Sequence, residues 1–214
     1  MGHVILLGDS VFDNGAYVGR GEPDVVRQLR GRLPVGWGAT LAAVDGAVTG
    51  SVPRQLERLP PGATHLVVSV GGNDALRRQD VLGAPARSVA EALLALAEAR
   101  DGFARGYRAM LEAVLARGLP TAICTIYDPR FPDPARQRVA VAGLTLFNDV
   151  ITREAFGRGL PLVDLRLICS ADADYANPIE PSARGGAKIA GAIAGLVTGH
   201  DFARRRSAVF AGRG

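Results

Sequence analysis

Long apolar runs and cysteines are both scarce in this sequence. The longest apolar stretches have the length of a strand and are interrupted by Arg, Glu or Gly, and the first of them begins almost at Met1. We therefore expect neither a membrane span nor a secretory signal, which makes a cytoplasmic location the default. Only two cysteines are present, Cys124 and Cys169, both in apolar segments typical of strands. This setting favours buried thiols over a disulfide framework.

Histidine and lysine are scarce as well. The three histidines show no Cys/His spacing typical of a metal site, and no organic cofactor is implied. The formal charge of +4 comes almost entirely from arginine, because Lys188 is the single lysine. Arg204, Arg205 and Arg206 are adjacent, but the other basic residues are scattered without interleaved aromatics. We expect no nucleic-acid or membrane partner, and a solvated, frayed basic tail over residues 201–214.

The apolar content is sufficient for one domain, which we predict over residues 1–200. Hydrophobic residues make up 48% of the 214 positions, enough for a sizeable core. Strand-length apolar segments recur at Val4–Leu7, Thr40–Val44, His65–Val70, Thr121–Ile126 and Pro161–Leu165.

Segments with helical periodicity alternate with these strands. They are Pro23–Leu33, Ser88–Arg117, Ala135–Gly157 and Ser182–Val197. Nearly continuous apolar strands joined by helices predict a three-layer α/β/α fold with a mostly parallel, five-stranded sheet. Ligands bind such sheets at the carboxyl ends of the strands, so the residues that follow each strand are the candidates for a site.

Polar or glycine-rich segments follow four of the strands. Gly8-Asp9-Ser10 follows the first, Asp45–Gly50 the second and Gly71-Gly72-Asn73-Asp74 the third, while a long loop after the fifth reaches Asn177–Ser182. A serine at the end of a buried strand presents its hydroxyl and the neighbouring backbone N–H groups at the mouth of the sheet. Covalent acyl transfer needs that combination.

In this order the four segments resemble the sequence blocks of the SGNH, or GDSL-type, hydrolases, and the resemblance covers essentially the whole chain. It implies a flavodoxin-like α/β/α fold and hydrolysis of carboxylic esters through an acyl-serine intermediate, with Ser10 as the nucleophile. It also implies an oxyanion hole made by the N–H groups of Ser10 and Gly50 and the side chain of Asn73. Asp9 and Asp74 are expected to support the loops by accepting bonds from backbone N–H groups.

The last block departs from the family pattern, since Asn177 and Glu180 stand where Asp-x-x-His is expected. Glu180 is the candidate base by position, with Asn177 able to orient it by a hydrogen bond. An ordinary glutamate pKa near 4.3 makes a weaker base than imidazole at about 6.5. Burial, or a neighbouring carboxylate such as Asp9, would have to raise it. Glu180 also suits the start of the following helix, where its charge favours the helix dipole.

No histidine replaces the missing one. His3 and His65 lie at the opposite ends of their strands, on the order of 23 Å from Ser10 in the case of His3. His200 follows the last helix, roughly 24 Å from Glu180. We expect His65 to make a local hydrogen bond and the other two histidines to face solvent.

The sequence therefore predicts hydrolysis of an ester with a small or medium acyl group. Two alternatives stay open. One is a binding module that keeps the pocket for an ester, acetylated sugar or carboxylate but lacks efficient catalysis. The other is metal-assisted phosphoester hydrolysis by Asp9, Asp13 and Asp74. Neither the particular substrate nor the oligomeric state is determined by the sequence.

Overall fold

The central sheet has six strands in the computed structural model, which describes residues 1–212. In chain order the strands are β1 (His3–Gly8), β2 (Gly38–Leu41), β3 (His65–Ser69), β4 (Thr121–Cys124), β5 (Leu162–Val163), β6 (Tyr175–Asn177), β7 (Glu180–Pro181) and β8 (Val209–Phe210). The sheet runs β2-β1-β3-β4-β5-β8 with all neighbours parallel, while β6 and β7 form a separate antiparallel pair.

The three-layer fold predicted from the sequence is confirmed, but the prediction of five strands is wrong. Val209 and Phe210 add a sixth strand beside β5. The N–H of Leu162 donates to the carbonyl of Ala208 at 2.8 Å, and the N–H of Asp164 donates to that of Phe210 at 2.9 Å. The expectation of a frayed tail therefore fails at these residues. Two residues at an edge are too few to produce a periodic pattern.

Helices cover both faces of the sheet. They are α1 (Val25–Arg30), α2 (Val52–Leu56), α3 (Gly72–Leu76), α4 (Val89–Leu115), α5 (Pro134–Gly157), α6 (Leu165–Ile168) and α7 (Ala183–Gly199). Side-chain caps begin the long helices, as where the hydroxyl of Ser88 accepts a bond from the N–H of Glu91 at 3.1 Å. Among residues 1–212, no helix is both long and apolar enough to span a membrane.

Two apolar clusters lie on opposite faces of the sheet. Val4 and Leu6 face α1 and α7, whereas Ile5 and Leu7 face α2, α4 and α5. Because both faces are covered, the strands carry apolar residues at consecutive positions. The residues that follow the strands are left at the carboxyl edge, where they are free to form a site.

The end of β1 is fixed from two sides. Gly8 has a φ of 126°, and a Cβ there would overlap the carbonyl oxygen of Ser69, so only glycine fits. The side chain of Gln55 bonds both the N–H of Gly8 (2.8 Å) and its carbonyl (2.7 Å). These contacts hold the following Asp9 and Ser10 at the edge of the sheet.

Candidate active site

Ser10 and Glu180 meet at the carboxyl edge of the sheet. The Oγ of Ser10 donates a hydrogen bond to Oε1 of Glu180 at 3.0 Å, although the residues are 170 positions apart. Each of the two is only 7% exposed. The carboxylate thus lies within reach of the serine proton, as predicted from the sequence.

The environment of Glu180 makes its carboxylate unusually basic. Burial raises the pKa of Glu180 to about 7, the hydrogen bond from Ser10 opposes that rise, and the charge of Asp45 adds to it. The second oxygen, Oε2, is buried and accepts no hydrogen bond within residues 1–212. The neighbouring carboxylate that raises the pKa is Asp45, not Asp9 as the sequence suggested. A pKa near 7 is comparable with that of imidazole.

Asp9 lies beside the pair but is fully enclosed. Its Oδ1 accepts a bond from the N–H of Val11 at 3.2 Å, and its own N–H donates to the carbonyl of Ser69 at 3.1 Å. Burial, followed by the nearby charges of Glu180 and Asp74, raises the pKa of Asp9 to about 8 despite that N–H bond. Asp9 is therefore mostly neutral at pH 7 and bonds the loop that carries Ser10.

Asn177 contacts the backbone of the last block and not the carboxylate. Its Oδ1 accepts bonds from the N–H groups of Ile179 and Glu180, each at 3.0 Å. This arrangement is an Asx-type turn that closes the β6–β7 hairpin. The sequence predicts that Asn177 orients Glu180 by a hydrogen bond, and the bond is made to the main-chain N–H of Glu180. Asn177 therefore positions Glu180 through the main chain.

Two further side chains hold the same segment, and sequence reasoning missed both. The hydroxyl of Tyr127 donates to the carbonyl of Ile179 at 2.6 Å, and Nδ2 of Asn14 donates to that of Pro181 at 3.2 Å. Together with Asn177 they bond the residues on either side of Glu180. Tyr127 follows β4 at the carboxyl edge, so its place after a strand was the available signal.

The loop between β2 and α2 is tied to the segment after β3. The carboxylate of Asp74 accepts bonds from the N–H of Thr49 at 3.0 Å and from its hydroxyl at 2.7 Å. Nδ2 of Asn73 donates to the carbonyl of Ala47 at 3.1 Å. These bonds bring the second and third blocks together, which is the supporting role expected for Asp74.

The three predicted oxyanion donors differ in exposure and in whether they line the cleft. Within residues 1–212, the N–H groups of Ser10 and Gly50 donate no backbone or side-chain hydrogen bond. Asn73 lines the same cleft as Ser10 and Glu180, whereas Gly50 is exposed and a Cβ there would meet nothing within 4 Å. Convergence of the three donors on one point stays a prediction.

A mainly apolar cleft of about 350 Å³ leads away from Ser10 and Glu180. It runs between α4, α5 and the segment that follows α3. Its apolar wall includes Val81, Leu82, Leu96, Ala99, Ile126, Val139, Ala140, Leu144 and Phe147. Such a shape buries an apolar ligand while leaving its polar end at the serine.

The histidines and cysteines do not line the cleft. His3 bonds the hydroxyl of Thr40, and His65 bonds that of Thr64, as expected for a residue at a strand end. His200 was expected in solvent, but its ring packs edge-on against two phenylalanines. Cys124 and Cys169 are buried free thiols, as predicted.

The aspartates considered as metal ligands serve other purposes. Asp13 accepts a bond from the N–H of Asp45 at 2.9 Å, while Asp9 and Asp74 bond loop groups. Across the described part of the chain, no three His, Cys, Asp or Glu side chains are grouped to ligate a metal ion. Nothing in the geometry therefore favours the metal-assisted alternative.

The chain matches one known protein family and is similar to several solved structures. The model of the GDSL-like lipase/acylhydrolase family matches residues 6–188. No curated protein matches the chain. Among solved structures, the chain is similar to an extracellular lipase from Streptomyces rimosus, with 17% identity over 88% of this chain and 96% of that one and a TM-score of 0.66.

Two other solved structures are also similar to the chain. A phospholipase A1 from Streptomyces albidoflavus NA297 is 19% identical over 92% of this chain and 98% of that one, with a TM-score of 0.62. The psychrotrophic esterase EstA from a Pseudoalteromonas species is 19% identical over 89% and 93%, with a TM-score of 0.57. At these identities the likeness establishes the fold.

Proposed function

The chain belongs to the GDSL-like lipase/acylhydrolase family, and from that premise we propose that it hydrolyses carboxylic esters through an acyl-Ser10 intermediate, with Glu180 as the general base. Family membership supports ester hydrolysis in general. The observation that carries the serine mechanism is the 3.0 Å hydrogen bond from Ser10 Oγ to Glu180 Oε1. A nucleophile bonded to a base is the requirement for activating a hydroxyl.

The reaction has two halves. Glu180 takes the proton of Ser10 while Oγ attacks the ester carbonyl carbon, and the electron pair of the C=O bond moves onto its oxygen. The N–H groups of Ser10 and Gly50 and the amide of Asn73 stabilise that oxyanion. As the oxyanion collapses, the bond to the alkoxide breaks and Glu180 returns the proton to it. Water then attacks the acyl-enzyme with the same proton relay and releases the acid.

A buried carboxylate explains why the last block lacks its aspartate. An imidazole base becomes a cation when it takes the serine proton, and an aspartate partner stabilises that cation and fixes the tautomer. Glu180 instead becomes neutral, which its buried site favours, and its carboxylate has no tautomer to fix. An uncharged Asn177 that holds the main chain is then sufficient as a positioning residue.

The cleft supports an acyl chain as the apolar part of the substrate. Because its wall is mostly aliphatic and aromatic, burial of methylene groups there is favourable. Its volume of about 350 Å³ suits a medium acyl group better than an acetyl group. The ester carbonyl would then lie at Ser10, with the alcohol directed out of the cleft.

The positions of Asp9, Asp74, Tyr127 and Asn14 support the same account. Within residues 1–212, none of them forms a hydrogen bond with the Ser10 hydroxyl, and each bonds a loop that carries a reacting group. We assign them to positioning. One domain over residues 1–200, extended by the strand at Val209–Phe210, suffices for the activity; the cytoplasmic location and the absence of a cofactor stay predictions.

Hydrolysis of p-nitrophenyl esters tests the proposal. The wild-type protein should release p-nitrophenol faster than the buffer does, and Ser10→Ala should reduce that rate to the background. Equal rates for the two proteins would refute the role of Ser10. Saturable binding of the ester without turnover by the wild type would point to the binding module.

A further inference from the structure

The apolar wall of the cleft continues outward along α4. One face of this helix carries five apolar residues at three- and four-residue spacing: Val89, Leu93, Leu96, Ala99 and Phe103. Ala99 and Phe103 are buried, and Leu96 and Ala99 line the cleft. Leu93 and Val89 are 60% and 77% exposed. At 1.5 Å per residue, the apolar face extends about 10 Å beyond Leu96.

Two other segments that line the cleft carry partly exposed apolar side chains. Leu82 and Val139 line the cleft, yet they are 43% and 47% exposed. We call Leu82, Val89, Leu93 and Val139 the mouth patch. An apolar face that continues a ligand cleft into solvent is typical of a surface that contacts another molecule.

Two arginines lie beside the mouth patch. Apart from Asp9 and Glu180 at the serine end, the charged residues that line the cleft are Arg78 and Arg136. Both are exposed, and within residues 1–212 neither forms an ion pair with a carboxylate. The guanidinium of Arg136 lies over the ring of Phe131, 4.1 Å from its centroid, and keeps its charge. An apolar surface bordered by guanidinium groups that form no ion pair suits a partner that combines acyl chains with negative charge.

We propose that the mouth patch docks the protein onto the surface of an anionic lipid bilayer, with Arg78 and Arg136 against the headgroups. The inference rests on the proposed function in one respect, that an acyl chain drawn from the bilayer is what enters the cleft. Surface docking requires no membrane-spanning helix. The proposal departs from the expectation from the sequence, which is that the protein has no membrane partner.

A second copy of the chain fits this surface less well. In a two-fold dimer the same patch faces itself, so the like-charged Arg78 and Arg136 of both copies would lie at one interface. An anionic bilayer instead supplies the opposite charge. The apolar stripe also leads directly into the cleft, which a lipid chain can follow and a folded partner cannot.

Co-sedimentation with vesicles tests the proposal. The probe is Ser10→Ala protein, which cannot hydrolyse the lipid, with vesicles of phosphatidylcholine alone or mixed with phosphatidylglycerol. We expect binding to the mixed vesicles, weaker binding in high salt, and little binding to phosphatidylcholine alone. Adding Leu93→Gln should weaken binding about tenfold, because the variant lacks one leucine side chain that would be buried in the bilayer.

Leu94 provides a matched control. It is 67% exposed on the same helix, but it lies about 100° around the axis from Leu93 and off the apolar stripe. Leu94→Gln should bind vesicles as the parent does. In protein that retains Ser10, Leu93→Gln should leave the hydrolysis of a soluble short-chain ester unchanged. This result would show that the variant is folded.

Three results would overturn the inference. The first is no binding to mixed vesicles, and the second is equal weakening by Leu93→Gln and Leu94→Gln. The third is a wild-type dimer that Leu93→Gln converts to a monomer, which would assign the patch to a second copy. Because binding is measured without turnover, it is independent of the esterase assay. If the wild-type protein binds vesicles but hydrolyses no ester, the docking inference stands and the proposed function is refuted.

Discussion

Oε1 of Glu180 accepts the hydrogen bond of the Ser10 hydroxyl, while Oε2 of the same carboxylate is buried without a donor in the described residues. Burial makes the negative charge of the carboxylate costly and is the main reason that the pKa of Glu180 rises to about 7. The carboxylate whose charged form is destabilised by burial is therefore the one that accepts the hydrogen bond of the Ser10 hydroxyl.

Activity should fall as the pH drops through about 7. The carboxylate is the active form of Glu180, and its protonation below a pKa of about 7 removes the base. The slope of log kcat/KM against pH for a soluble ester should approach one on the acid side. Asp9, with a pKa of about 8, should alter the profile only on the alkaline side. A profile that is flat from pH 5 to 8 would contradict the assignment.

Glu180→Gln should stabilise the protein at alkaline pH. A carboxyl group whose pKa is raised from 4.5 to about 7 by folding binds more protons in the folded state between those values. Its contribution therefore lowers the stability as the pH rises through that window. The variant should gain a few degrees in Tm at pH 8, where about 2–4 °C corresponds to 1 kcal/mol, and little at pH 4. A Tm at pH 8 equal to or lower than that of the wild type would argue against a carboxylate that burial destabilises.

Asn177 should tolerate replacement by aspartate but not by alanine. Its Oδ1 accepts two backbone N–H bonds and its amide nitrogen is not needed, so Asn177→Asp keeps the turn. Asn177→Ala leaves both donors free and loosens Glu180. We expect kcat to fall about tenfold for alanine with little change in KM, and at most a few-fold for aspartate. An effect on KM alone would assign Asn177 to substrate binding.

Ala140→Phe should shorten the acyl chain that the cleft accepts. Ala140 lines the cleft from α5, so a phenyl ring there occupies volume that a chain would fill. The ratio of kcat/KM for an octanoyl ester to that for an acetyl ester should fall at least about tenfold. Ala142→Phe is the control, because Ala142 is exposed on the same helix and does not line the cleft. An equal change in both variants would show that the cleft does not hold the chain.

The sequence predicted the parts of the site that directly follow strands. Ser10 and Asn73 come immediately after buried apolar runs, whose ends a parallel sheet brings to one edge. Glu180 was found by its place in the block order. Glu180 contacts Ser10 at that same edge of the sheet. It does so although a loop separates Glu180 from the nearest strand of the main sheet.

What the sequence did not predict depends on contacts between distant segments. Tyr127 and Asn14 hold the carbonyl groups around Glu180, and neither bond has a local sequence pattern. The sequence indicated that burial or a neighbouring carboxylate would have to raise the pKa of Glu180, but only the assembled fold shows that burial is the main cause and that the charged neighbour is Asp45. The strand at Val209–Phe210 is recognisable only once β5 offers an edge.

Labelling with a fluorophosphonate probe tests the central claim most directly, since a serine reacts with it only when a base and an oxyanion hole act together. At pH 8 the wild-type protein should be labelled at Ser10, and Ser10→Ala should not. Glu180→Gln should slow labelling about 10²–10⁴-fold while the protein stays folded. Wild-type protein that stays unlabelled at neutral and mildly alkaline pH, or Glu180→Gln that reacts as fast as the wild type, would contradict an acyl-Ser10 mechanism with Glu180 as its base.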